Sequence, residues 1–355
     1  MRCLLPVLLL AMLPAMAQEP QEITVTLVGD PGPPGPTGDP GIPGPPGLPG
    51  AAGATGATGA TGPAGDAADL PWDWPLTLSP ATDWPGEPIG YADLLANPSG
   101  SEPSGIIWNE RFQKYVWVHD NGNPYTCMYH MNADGSDLTR IGRLGGGNSD
   151  YEGITWTGDS DMIYILEEGA KQVHEINFRL VLENLEDGEN LTAVEQKRSF
   201  SVSEVARDGG AGPEGLTFVP DYADPEGGVF VITTQAGSTT DVYFYRLEIK
   251  SSATSTTSAH LSAPPWNSPR DLPGVSNVQG AYYHAERGWL FFVAGSGSHK
   301  VIVTDTDINV IDMFNTPNAA PYEGITAGPW NSIVLANDAG GVHEYGFPLG
   351  RPYSE

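Results

Sequence analysis

The stretch "SDYEGITW" (Ser149–Trp156) contains a three-residue unit that recurs along the chain, a polar residue followed by glycine and then by an apolar or small residue. Five copies occur, at Ser104-Gly105-Ile106, Glu152-Gly153-Ile154, Glu214-Gly215-Leu216, Gln279-Gly280-Ala281 and Glu323-Gly324-Ile325. Their mean spacing is about 55 residues, close to one four-stranded β-propeller blade with insertions. Short β-branched and aromatic runs, bounded by Gly, Asn, Asp and Pro, fill the intervals. The repeats predict an all-β fold, a five-bladed β-propeller over residues 100–350, with six blades as the alternative.

The repeats also predict where polar side chains meet. In a propeller blade the first strand lines the central channel and the second runs antiparallel beside it, so the start of the first and the end of the second share one face. We expect the polar residues of the five units to surround one mouth of the channel; these mouth residues are Ser104, Glu152, Glu214, Gln279 and Glu323. A second polar cluster follows each unit after a strand, and its members Asp120, Glu168, Gln235 and Asp338 are expected further out on the same face. The glycine of each unit is expected because only a bare backbone fits near a crowded axis.

Acidic residues at a narrow mouth repel one another unless protons or a cation neutralise them. Hard oxygen ligands favour calcium over zinc. The sequence therefore predicts a calcium site that uses Asp150, Glu152, Glu214 and Glu323. The alternative is that each Glu-Gly-Ile unit is an ordinary turn and strand start with a solvated carboxylate.

Catalytic signals are weak. His119 and Asp120 lie beside the predicted mouth and are candidate general bases, although a histidine with a purely structural role is the alternative. His130, His174 and His343 occur at equivalent points of outer strands, which suggests repeated packing. The sequence contains no Gly-x-Ser-x-Gly elbow, no His-Glu-x-x-His and no phosphate loop.

Several of these motifs together resemble the SdiA-regulated and phytase-like group of secreted β-propellers. The matching positions over residues 100–346 are Ser104-Gly105-Ile106, Asp120, Asp134-Gly135, Asp150 with Glu152-Gly153-Ile154, and Glu167-Glu168. The resemblance implies a propeller with calcium at its acidic face. Gln279 departs from the pattern, because an acid would be expected there. Phytase activity is not implied, since a phosphate-binding face would need clustered basic residues and none lies near the repeated units.

The N-terminal part has a different character. Residues 1–17 read as a secretory signal peptide, with Arg2, an apolar run and a small-residue cleavage site, and residues 18–28 form a short segment. From Gly29 to Gly65 glycine stands at every third position, which predicts a collagen-like triple helix over 29–67 and hence a homotrimer. Disordered low-complexity sequence is the alternative. Residues 68–99 form a Pro/Trp-rich linker, in which the segment around Leu76–Leu78 is expected to supply the outer strand of the last blade.

Net charge and cysteine content limit the classes of partner and the kinds of cross-link that can be expected. The chain has 355 residues, 44 acidic and 16 basic, with a formal net charge of −28, which disfavours nucleic acid and anionic lipid as partners. Only Cys127 remains after removal of the signal, so no internal disulfide is expected. No membrane anchor is recognised. We expect a secreted or cell-surface-associated trimer whose heads bind an extracellular ligand or surface, with two alternatives: a calcium-dependent hydrolase (phosphoesterase or lactonase), or a structural matrix or coat component.

Overall fold

The computed structural model describes residues 102–120, 126–143, 150–158, 160–205, 212–235, 240–251, 256–263, 266–295, 297–316, 320–329, 332–338 and 341–346. The predicted signal peptide, the collagen-like segment and the expected closing strand around Leu76–Leu78 lie outside these residues and stay predictions. Among the residues described, no helix has both the length and the apolar character needed to cross a bilayer.

The described chain forms five antiparallel sheets, each built from strands in sequence order, and one two-stranded hairpin. The first blade contains β1 (Glu102–Asn109), β2 (Lys114–Asp120), β3 (Thr126–Asn132) and β4 (Thr139–Gly142). The second contains β5 (Tyr151–Trp156), β6 (Met162–Glu167), β7 (Gln172–Asn177) and β8 (Gln196–Ser201), with the helix α1 (Phe178–Asn184) after β7 and a 3-10 turn (Ser203–Val205) after β8.

The remaining three blades follow the same order. The third contains β9 (Pro213–Pro220), β10 (Gly228–Thr234), β11 (Thr240–Leu247) and β12 (Ser258–His260); it is followed by the hairpin β13 (Ser262–Ala263) and β14 (Trp266–Asn267), and by β15 (Arg270–Leu272), which pairs with β11. The fourth contains β16 (Val278–His284), β17 (Trp289–Ala294), β18 (Lys300–Thr304) and β19 (Val310–Asn315). The fifth contains β20 (Tyr322–Ala327), β21 (Ser332–Asn337) and β22 (Val342–Gly346).

The five first strands close into a circle. β1 contacts β5, β5 contacts β9, β9 contacts β16, β16 contacts β20, and β20 returns to β1. This closure confirms the prediction of an all-β, five-bladed propeller and excludes six blades.

Glycine is required where the first strands converge. A Cβ at Gly280 would lie 2.1 Å from the carbonyl oxygen of Glu323, and one at Gly324 would lie 2.1 Å from that of Ser104. Both obstacles are backbone atoms of the next blade, so neither can be moved by a rotamer change. The expected packing role of the glycine in the repeated unit is therefore confirmed.

The apolar core lies between neighbouring blades. Between the first two, Val116, Val118 and Cys127 pack against Ile154 and Ile163, all of them buried. Cys127 is a free thiol, and burial raises its pKa well above the ordinary value, so it is a packing residue.

The repeated histidine positions also pack alike. His174 meets the Tyr151 ring edge-on at 6.0 Å, and His343 meets the Tyr322 ring edge-on at 5.9 Å. Both histidines lie on third strands, so the expected repeated packing is confirmed for the second and fifth blades.

Candidate functional site at the acidic channel mouth

The mouth residues occupy the same structural position in every blade. Each stands near the start of a first strand, where the pairing with the second strand shifts register; the pairs Tyr151–Glu167 and Gly153–Leu166, for example, leave Glu152 as an extra residue. All five are buried, with exposed fractions of 1% for Ser104, 6% for Glu152, 4% for Glu214, 6% for Gln279 and 8% for Glu323. A bulge at this point redirects a side chain that regular pleating would place elsewhere.

Three of the mouth residues are hydrogen-bonded to one another. Glu323 lies between its two neighbours in the circle: Ser104 Oγ donates to Glu323 Oε2 at 3.3 Å, and Gln279 Nε2 donates to Glu323 Oε1. Burial, followed by repulsion from Asp338, raises the pKa of Glu323 to about 8, although both hydrogen bonds oppose this rise. Glu323 is therefore mainly protonated at neutral pH.

Three carboxylates converge at the second blade. Asp150, Glu152 and Glu168, here called the carboxylate triad, each place one oxygen so that all three atoms lie within 4.8 Å of one another. Asp150 immediately precedes β5 and Glu168 immediately follows β6, and the Glu168 N–H donates to the Asp150 carbonyl at 2.8 Å. This is the predicted meeting of the start of a first strand with the end of a second.

The environment of Glu168 favours its protonated form. Its carboxylate fills the space that a side chain at Gly212 would need, since a Cβ there would lie 1.7 Å from Glu168 Oε1. Burial, followed by a hydrogen bond and repulsion from Asp150, raises the pKa of Glu168 to about 7. The triad therefore contains a group whose charge changes near neutral pH, and its three oxygens are of the type that a hard cation prefers.

The other blades share the backbone geometry of the triad with different side chains. The N–H of Gln235 donates to the Gly212 carbonyl at 3.1 Å, and that of Asp338 donates to the Pro321 carbonyl at 3.0 Å, so both lie beside the mouth as expected. In these two blades Gly212 and Pro321 replace the Asp150 carboxylate.

The fourth blade differs at two linked positions. Gly295 stands where the second blade has Glu168, and its N–H donates to the Asn277 carbonyl at 3.3 Å. The Gln279 side chain fills the resulting space, because a Cβ at Gly295 would lie 1.7 Å from Gln279 Oε1. The fourth blade therefore has Gln279 in place of an acidic mouth residue and, beside it, Gly295 in place of a residue with a side chain.

Not all predicted ligands lie in one group. Asp150 and Glu152 meet as expected, but Glu168 completes their group, and Glu214 and Glu323 do not belong to it within the described part of the chain. His119 is buried, accepts a hydrogen bond from the Glu102 N–H at Nδ1 (3.4 Å) and lies 5.2 Å from the Tyr129 ring. Asp120 ends β2 opposite Glu102, and its side chain lies outside the described residues.

Sequence reasoning missed a cavity at the opposite mouth. It has a volume of about 410 Å³ and is lined by residues that follow the glycines of the first strands. In four of the five repeated units the third residue after the glycine is aromatic: Trp108, Trp156, Phe218 and Tyr283. The alignment of the repeated units that predicted the acidic mouth therefore also contained these recurring aromatic residues, which indicate the cavity.

Comparisons with known proteins add likenesses of fold. No protein-family model and no curated protein sequence matches the chain. Solved structures similar to it include a nidogen/laminin complex (12% identity, 68% of this chain and 77% of that chain, TM-score 0.39). Virginiamycin B lyase from Staphylococcus aureus (16%, 71% and 68%, 0.36) and a luciferin-regenerating enzyme (11%, 76% and 97%, 0.42) are also similar. The closed circle of five antiparallel blades makes the chain a β-propeller protein. Its finer resemblance to the SdiA-regulated and phytase-like group stays a prediction.

Proposed function

We propose that this is an exported stalk-and-head protein whose propeller binds an extracellular ligand or surface through a divalent cation, most suitably calcium, at the acidic mouth. The observation that carries the proposal is the carboxylate triad of Asp150, Glu152 and Glu168, with its three oxygens within 4.8 Å.

The composition of the triad suits a calcium ion that is coordinated both by the protein and by a bound partner. Calcium takes about six to eight oxygen ligands, so three carboxylates leave several positions for water or for oxygens of a bound partner. Glu152 is buried, whereas Asp150 and Glu168 are only half-buried, so the cation would be accessible from solvent. The partner class that fits is oxygen-rich: a carboxylate, a phosphate ester or a sugar with adjacent hydroxyls.

The collagen-like segment supplies the second part of the proposal. Thirteen Gly-X-Y triplets over residues 29–67 would join three chains, and hence three heads, on one stalk. Linked sites bind a surface far more tightly than one site does, because the second and third contacts become intramolecular. Modest affinity per head is therefore sufficient for a protein that adheres to an extracellular surface.

Thermal denaturation of the full-length protein tests the cation. We expect calcium to raise the melting temperature of the head relative to excess chelator, and Glu152→Gln to remove most of that rise. Glu323→Gln is the matched control, because Glu323 lies in the same circle of mouth residues but outside the triad. A melting curve that is identical in calcium and chelator would remove the cation from the proposal.

A calcium-dependent hydrolase is the second candidate, and the coordination positions that the carboxylate triad would leave open on a cation favour it. Such a cation would polarise a bound water or phosphoryl oxygen, and Asp120 at the end of β2 would accept the proton. The test is a screen of phosphate-ester and lactone substrates in the presence of calcium. Turnover that falls by about 100-fold in Asp120→Asn, with folding intact, would replace the binding function by this one.

A further inference from the structure

The cavity at the opposite mouth forms an aromatic pocket. Its volume of about 410 Å³ lies in the range of sites for small molecules, about 300–1,000 Å³. Its aromatic lining, which defines the name, is Trp108, Trp156, Phe218, Tyr282 and Tyr283. These residues come from the first strands of four blades, after the glycines, so the pocket and the carboxylate triad lie at opposite ends of those strands.

Hydrogen bonds between blades hold the walls of the pocket. The Tyr283 N–H donates to Thr217 Oγ1 at 3.0 Å, which joins the fourth blade to the third. The Trp108 N–H donates to Thr326 Oγ1 at 3.2 Å, which joins the first blade to the fifth. Trp156 is fixed within its own blade, because its Nε1 donates to the Ser160 carbonyl at 2.9 Å. The main chain at Tyr283 and Trp108 and the indole ring of Trp156 are therefore held in place without a ligand.

The charged groups of the pocket have one sign. Glu110 and Glu286 line it and are exposed, and its described lining contains no lysine or arginine. Burial lowers the pKa of His284, so this lining residue is neutral at neutral pH. Burial is the main cause that raises the pKa of the Tyr282 hydroxyl, and the negative charges of Glu286 and Glu110 raise it further. Both carboxylates are therefore close enough to Tyr282 to influence it electrostatically.

We propose that the aromatic pocket binds a small organic cation, such as a quaternary ammonium group. Aromatic faces attract such a cation through their quadrupoles, and its weak hydration makes it easy to transfer from water. The two carboxylates add attraction for positive charge and disfavour anions. A neutral ligand would use the aromatic surface but would gain nothing from this charge pattern.

Two probes of the same shape test the proposal on the full-length protein. Choline carries the charge, and 3,3-dimethyl-1-butanol replaces its nitrogen by carbon. We expect titration calorimetry or tryptophan fluorescence to show choline binding about tenfold more tightly than the alcohol. The double variant Glu110→Gln with Glu286→Gln should weaken choline about fivefold and leave the alcohol unchanged. Glu183→Gln, an exposed change on α1, is the control and should alter neither.

Two results would overturn the proposal. The first is equal affinity for choline and the alcohol, which would mean that the pocket does not select charge. The second is the absence of saturable choline binding below about 10 mM, which would leave the pocket without a useful site. Both tests are independent of calcium, so the failure of the proposed function at the acidic mouth would not affect them.

Discussion

Glu323→Gln should change how the stability of the propeller depends on pH. In the folded protein the pKa of Glu323 is raised from 4.5 to about 8, mainly by burial, and only 8% of the residue is exposed. A carboxyl group whose pKa is raised on folding lowers stability as it ionises. This cost begins as pH rises above 4.5, where the unfolded chain ionises, and reaches its full value near pH 8. At about 1.4 kcal/mol per pH unit, the cost amounts to at most about 5 kcal/mol.

The amide has the shape of the protonated acid and does not ionise. Its oxygen can accept from Gln279 Nε2, and its nitrogen can donate to Ser104 Oγ after the hydroxyl rotates. We therefore expect wild type and variant to have similar free energies of unfolding near pH 4.5, and the variant to be more stable by several kcal/mol at pH 8.

Urea unfolding of the full-length proteins in chelator, followed by tryptophan fluorescence from pH 4.5 to 8.5, measures this difference. Comparing the two proteins at each pH cancels the groups that titrate in both and do not interact with Glu323, including Glu168. Glu183→Gln is the control and should follow the wild-type curve. Parallel curves for wild type and Glu323→Gln would refute the assignment of a buried, neutral Glu323.

Two further predictions concern packing and assembly. Gly280→Ala should destabilise the propeller by about 3 kcal/mol or more, because its Cβ would lie 2.1 Å from the carbonyl oxygen of Glu323. Gly169→Ala is the control and should be nearly neutral in the same denaturation assay, because no atom lies within 4 Å of the added Cβ. Equal losses of stability in the two variants would contradict the claim that the backbones at the propeller axis leave room only for glycine. Gly44→Ser should convert the expected trimer to monomer in analytical ultracentrifugation, because only glycine fits the axis of a triple helix, whereas Leu48→Ser at an X position should leave the trimer intact. A monomeric wild type would remove the stalk from the account.

The sequence was most informative where geometry restricts the choice of residue. Five first strands meet at one axis, and the approach of their backbones allows only glycine there, so Gly105, Gly153, Gly215, Gly280 and Gly324 revealed both the blade number and the position of the mouth. The residue before each glycine lies at the mouth of the channel. Once the glycines were recognised, the mouth residues could therefore be predicted as well.

The grouping of carboxylates was less predictable. Which acids meet depends on the residue two positions before the mouth residue, and that residue is Asp150 in one blade but Gly212 and Pro321 in two others. Glu168 joins the triad because Gly212 leaves room for its carboxylate, a contact between blades that no spacing in the sequence reveals. The aromatic pocket was overlooked for a different reason, since aromatic residues in strands usually indicate core.

Calorimetric titration of the full-length protein with calcium at pH 7, in two buffers of different ionisation enthalpy, tests the central claim most directly. We expect one saturable site per chain at the triad, with proton release on binding because Glu168 ionises. Asp150→Asn should weaken the site by about tenfold or more, whereas Glu183→Gln should not. The absence of calcium binding, or equal binding by wild type and Asp150→Asn, would contradict the claim that the acidic mouth is a cation site.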